Sequence, residues 1–120
     1  MSTTHIGRRV NAPRAIVYRA LLDARAVATW MVPTGMTTDT FHGRFVKLVT
    51  NEQVVEVVEF ETTDPALRGE MTITIALADA DGGTDILAVH DGLPPGLSVA
   101  DNEAGWRSSL VKLAALVEAG

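Results

Sequence analysis

From Trp106 the sequence repeats apolar side chains at Leu110, Leu113, Ala114 and Val117, offsets of 4, 7, 8 and 11 that put all five on one stripe of a helix. Arg107, Ser108 and Lys112 fall off that stripe. Upstream, Ser98-Val-Ala-Asp101 has the reciprocal spacing of a helix start, so the helix is predicted to begin there. At 1.5 Å per residue, about 18 residues reach roughly 27 Å, enough to cross a small sheet.

The rest of the sequence supplies that sheet. Residues 3–10 alternate, with Ile6 and Val10 on one face and His5, Gly7 and Arg9 on the other, until Asn11-Ala12-Pro13 ends the pattern. Proline is tolerated in a first helical turn, and Ile16, Val17, Ala20 and Leu21 then recur at helical spacing to about Leu22. Asp23 can cap a second short helix, 24–30, which presents Val27 and Trp30 before Pro33 stops it. Residues 34–40 have no period and read as a loop. Four strands are predicted next, at 41–49, 53–62, 70–78 and 84–90. Thr50-Asn51-Glu52 closes the first, and Asp81-Gly82-Gly83 is a hairpin turn between the last two. Residues 91–96, Asp-Gly-Leu-Pro-Pro-Gly, are expected to be a rigid loop. Strands outnumber helices and their connections are short, so the fold class is α+β, with an antiparallel sheet and its helices gathered on one side.

Composition removes several functions. The chain has no cysteine, which excludes disulfides, a thiol nucleophile and thiolate zinc sites, and suits a reducing cytoplasm. Ten basic against fifteen acidic residues give a net charge of −5, unlike a nucleic-acid binder. No run approaches the roughly 18 apolar residues of a membrane span, and no signal peptide opens the chain, so it reads as cytoplasmic. His5, His42 and His90 are far apart, and no metal or other cofactor is expected. There is no Gly-x-Ser-x-Gly elbow and no phosphate-binding loop. A length of 120 residues points to one domain, 1–120.

Several strings occur in an order that carries more than any of them alone: Val10-Asn-Ala-Pro13, Ile16-Val-Tyr18, Trp30-Met-Val-Pro33, Phe41-His-Gly-Arg-Phe45, Val57-Val-Glu-Phe60, Gly69-Glu-Met-Thr-Ile73, Gly82-Gly-Thr84 and Asn102-Glu-Ala-Gly-Trp106. Together they resemble the SRPBCC superfamily, the helix-grip fold of START and Bet v-type proteins, and within it the branch named after the activator of heat-shock-protein-90 ATPase. The resemblance implies a curved antiparallel sheet wrapped around the long C-terminal helix, with an apolar cavity between them. Such proteins bind lipids, polyketides, hormones or other hydrophobic molecules there, and a few are cyclases, dehydratases or chaperone co-factors. One departure stands out. The family places two further strands between the segments matching Trp30-Met-Val-Pro33 and Phe41-His-Gly-Arg-Phe45, whereas here seven residues, reaching at most roughly 23 Å, join them. One β-hairpin is therefore lacking, either deleted or missing from this sequence. A deletion predicts an open cavity wall and unpaired strand edges through which a homodimer can form.

The resemblance makes Trp30, Phe45, Val58, Phe60, Ile73, Ile75, Trp106 and Leu110 candidate ligand-binding residues; the plainer alternative is that they fill a core. Glu56 shares a strand face with Val54, Val58 and Phe60. Turned inward it needs a partner, for which Arg44 is a candidate, and would serve as a polar anchor or general base; otherwise it points to solvent. His90-Asp91 is either a general-base pair or a histidine held by ordinary hydrogen bonds at the start of a loop. The cluster Glu52, Glu56, Glu59, Glu61, Asp64 and Glu70 is a solvated face or a dock for a basic protein. The expected function is thus the binding of a hydrophobic small molecule, lipid or polyketide-like. The alternatives are a cyclase or dehydratase using Glu56 or His90, and a chaperone co-factor-like interaction domain.

Overall fold

The computed structural model describes residues 2–23, 41–60, 65–67, 69–96 and 98–119. Strand β1 (Ser2–Val10) leads into helix α1 (Arg14–Leu22). Strands β2 (Phe41–Val49) and β3 (Gln53–Phe60), a 3-10 turn at Pro65–Leu67, and strands β4 (Glu70–Ala80) and β5 (Gly83–Leu93) follow. Helix α2 (Val99–Glu118) ends the chain. The predicted helix at 24–30 and the short connection at 34–40 lie outside the described residues.

The described strands form one antiparallel sheet in the order β1-β5-β4-β3-β2. Its tight turns use left-handed backbone where the sequence provides for it: Asn51 (φ 62) between β2 and β3, and Gly82 (φ 76) between β4 and β5. Alternation then sets the two faces. On β4, Met71, Ile73, Ile75 and Leu77 are buried, and on β5 Thr84, Ile86, Ala88 and His90 are. The expected loop at Asp91 is instead the continuation of β5. Asp91 pairs with both Thr3 and Thr72, because strands on either side still offer ladder partners there.

One irregularity decides what β2 contributes. The ladder shifts between Phe45 and Lys47, so that Phe45 opposes Glu56, Lys47 opposes Val55 and Leu48 opposes Val54. Val46 is the extra residue of a β-bulge. Unbroken alternation from Phe45 would put Lys47 on the same face; the bulge sends it to the other and brings Leu48 inward.

Helix α2 starts where the sequence places it, with the Ser98 hydroxyl accepting from the Asp101 amide. It packs chiefly on β1, running in the same direction, and its far end is tied down where the Asn11 amide donates to Glu118. Helix α1 lies over β3, β4 and β5 and touches α2. Arg14 at its start binds Asp79 at 2.9 Å and donates to the Asn51 carbonyl. The Thr84 hydroxyl, fully buried, donates to the Ala12 carbonyl at 2.7 Å and fixes the turn between β1 and α1.

Gly43 shows how close β2 and β3 stand. A Cβ there would lie 2.6 Å from Val58 Cγ1 and 2.8 Å from the Val57 carbonyl oxygen. The side chain can turn away but the carbonyl is part of the ladder. Gly43→Ala is therefore expected to destabilise the protein by about 1–3 kcal/mol, measured as a lower urea midpoint at unchanged slope.

Candidate functional site

The register places five inner-face residues in one row across the whole sheet: Phe45 on β2, Glu56 on β3, Ile73 on β4, His90 on β5 and Thr4 on β1. With strands about 4.8 Å apart the row is roughly 19 Å long. Exposure falls steeply along it. Phe45 is 43% exposed and Glu56 partly buried, whereas Ile73, His90 and Thr4 are 3%, 6% and 1% exposed. The cause is the position of α2, which packs on β1 and so closes that end of the row.

At the closed end the Trp106 indole N–H donates to His90 Nδ1 at 3.0 Å, and the two rings meet edge to face at 88°. An indole nitrogen can only donate, so Nδ1 carries no proton and the neutral ring is protonated at Nε2. That nitrogen lies 3.2 Å from the Met71 sulfur, a weak acceptor. Burial holds His90 neutral, with its pKa lowered to about 4. Asp91 is on the opposite face, where it accepts from the Thr3 hydroxyl at 2.6 Å, because consecutive strand residues point apart. Of the two readings of His90-Asp91, the base pair is not formed; His90 is held by hydrogen bonds, within a strand rather than at the start of a loop.

At the open end Glu56 stands between Val54 and Val58 along its strand and between Phe45 and Ile73 across the sheet. Its carboxyl is raised above its ordinary value by desolvation, and among the described residues it has no hydrogen-bond or ion-pair partner. Arg44, expected as a partner, opposes Val57 on the outer face and pairs with Glu70 at 3.2 Å. The bulge has turned Lys47 to that face too. What remains is an apolar shelf made by Phe45 and the half-exposed Leu48 beside the buried Val54 and Val58, with one carboxylate set into it that has no partner among the described residues.

The other candidates fall on both sides of this division. Val58, Ile73, Ile75, Trp106 and Leu110 are buried in the core. Trp30 and the side chain of Phe60 lie outside the described residues, as do Glu61 and Asp64 of the acidic cluster. Leu48, Met71 and Thr4 were not anticipated. The parity of Thr4 with Ile6 and Val10 would have found it, and that of Met71 with Ile73 was already visible; Leu48 needs the bulge. On the outer face, Gly7, Ala76 and Ala78 leave an open depression of about 550 Å³ beside Leu87, rimmed by the Arg9–Asp85 ion pair.

His90 makes the fold sensitive to acid in a defined window. Its pKa in the folded state, about 4, lies below the value of about 6.5 in the unfolded chain. The unfolded state therefore binds the proton first, and the contribution present above pH 6.5 is lost as pH falls towards 4. Unfolding free energy is expected to drop by about 3 kcal/mol across that window from this residue. In His90→Gln, which keeps an acceptor for Trp106 but does not titrate, urea midpoints should lose that part of their pH dependence.

This geometry has relatives. The family model described as Activator of Hsp90 ATPase homolog 1-like protein matches residues 34–118. Among solved structures, protein CV1439 from Chromobacterium violaceum is 33% identical with a TM-score of 0.86, covering 97% of this chain and 96% of its own. The Aha1 dimer from Colwellia psychrerythraea is 16% identical, with a TM-score of 0.76 over 98% of this chain and 97% of its own. DynU16, encoded in the dynemicin biosynthetic locus, is 22% identical with a TM-score of 0.76, covering 98% of this chain but 48% of its own. The last two likenesses are of fold alone. No curated protein sequence matches. Among the described residues no helix is long and apolar enough to cross a membrane. With the family model spanning most of its length, the chain belongs to the Activator of Hsp90 ATPase homolog 1-like family, a helix-grip branch of the SRPBCC superfamily.

Proposed function

We propose that the protein is a binding module that holds an apolar small molecule on the open half of the inner face, with Phe45 and Leu48 as its contact surface and Glu56 as its polar anchor. The observation that carries this is the partly desolvated Glu56 carboxylate, without a partner among the described residues, set among Val54, Val58, Ile73 and Phe45. Such a group costs stability and has no structural use, which is the mark of a site kept for a ligand. The closed end of the row serves as scaffold: both ring nitrogens of His90 are engaged, which leaves Glu56 as the candidate base should the module also catalyse. A cysteine-free chain suits the reducing cytoplasm, where we place it.

Two results test the reading. Without ligand, Glu56→Gln should raise stability at pH 7 by about 0.5–1 kcal/mol, seen as a higher urea midpoint, because an unpaired charge is replaced by a neutral group of the same shape. With 1-decanol as an uncharged apolar probe, amide NMR signals of Phe45, Leu48 and Glu56 should shift on titration, and Phe45→Ala should weaken binding about tenfold through lost aromatic contact. A titration that moves none of those amides overturns the proposal.

A further inference from the structure

We infer that the molecule this shelf selects is an apolar amine, its ammonium seated between the Glu56 carboxylate and the Phe45 ring and its hydrocarbon body lying along the exposed side chain of Leu48. The inference rests on the binding-module reading above and narrows it to one ligand chemistry.

Three observations point to a cation. The first is the pairing itself: Phe45 and Glu56 are direct cross-strand partners on the inner face, which brings their Cβ atoms to about 4.5–5.5 Å. A carboxylate with an aromatic ring beside it offers an ammonium a charge-assisted hydrogen bond and a cation–π contact from one position. The second is that the cations of β2 are turned away. Arg44 is on the outer face and held by Glu70, and the bulge at Val46 rotates Lys47 to the same side. Arg8 shares the inner face but lies on β1, three strands from Glu56 and two rows along, opposite Ile86. The third is the hydrocarbon surround. Val54, Val58 and Ile73 offer no donor to a carboxylate, so none of these neighbours competes with an incoming ammonium for it.

The same surroundings discriminate by charge. A fatty acid would set its carboxylate against that of Glu56, and a neutral alcohol would gain a hydrogen bond to the carboxylate but neither the attraction of opposite charges nor the cation–π contact. The order of affinity follows as amine, then alcohol, then carboxylate, for chains of equal length.

The test is an amide NMR titration of the whole chain at pH 7 with decylamine, 1-decanol and decanoate, each below its micelle concentration, in the wild type and in Glu56→Gln. In the wild type, decylamine should bind about tenfold or more tightly than decanol, decanoate should bind weakest, and the shifted amides should be those of Phe45, Leu48 and Glu56. In Glu56→Gln, whose fold is checked by the dispersion of its own spectrum, the amine and alcohol affinities should converge. Equal binding of amine and alcohol in the wild type overturns the inference while leaving the binding-module reading in place, and so does an amine preference that survives in Glu56→Gln. Decylamine shifts confined to acidic residues of the outer face overturn it as a surface charge effect. Failure of all three probes to move the shelf amides overturns the module reading and the inference together.

Discussion

The hydrogen bond from Trp106 to His90 joins the two parts of this molecule that apolar contact alone would leave free to slide. A helix whose inner stripe is Leu110, Leu113, Ala114 and Val117 can pack on a sheet of aliphatic side chains in several registers at similar cost, since burial is not directional. A buried indole N–H and a buried imidazole nitrogen each lose much more if left unpaired, and they have one position in which both are satisfied. That position puts α2 over β1. Everything else on the inner face follows from where the helix is and is not: Ile73, His90 and Thr4 are sealed, while Phe45 and Leu48 remain open to solvent.

The second constraint acts on the opposite edge and is a matter of counting. Strand side chains alternate with period 2, so one inserted residue exchanges the faces of everything beyond it. Val46 is that residue. With it, β2 presents Gly43, Phe45 and Leu48 inward and Arg44 and Lys47 outward. The outward cations face an acidic surface, where Arg44 reaches Glu70 between the opposed carboxylates of Glu59 and Glu70. The inward face of β2 carries no cation, and among the described residues Glu56 has no partner. Relative to the inward Phe45, a single backbone irregularity thus turns Lys47 away from the face on which Glu56 lies.

How much of this was legible in the sequence depends on whether a feature is local. The capped start of α2 at Ser98, the β4–β5 hairpin at Gly82 and the inward set Met71, Ile73, Ile75 and Leu77 all follow from spacing, and the structure has them. The order of motifs from Val10 to Trp106 was enough for the family, since the whole set has to agree. His90 was misplaced because Asp91-Gly92 looks like the start of a turn; in the fold, Thr3 and Thr72 on either side keep Asp91 in the ladder. The match of Glu56 with Arg44 failed because register across strands is not written in either strand alone, and a bulge has no residue signature as plain as that of a turn. The candidate aliphatics are a different case. Ile73, Ile75 and Leu110 do face the groove between sheet and helix, but the helix closes that groove over them, and closure is a property of the packing of the whole.

The two ionisable groups of the central row then have opposite effects on the fold and the same effect on binding. For the fold, protonating Glu56 is a relief, because its pKa is raised and the neutral form suits its surroundings, whereas protonating His90 removes the acceptor that holds Trp106. For a cationic ligand both are losses: the first removes the charge that attracts it, and the second loosens the helix that defines where the shelf begins. An open face with an unsatisfied charge is tolerable only if it is held by a closed face in which no polar group of the central pair goes unmet. The row from Phe45 to Thr4 holds the two side by side, the Glu56 carboxylate towards the exposed Phe45 and the His90–Trp106 pair towards the helix, with the buried Ile73 between them.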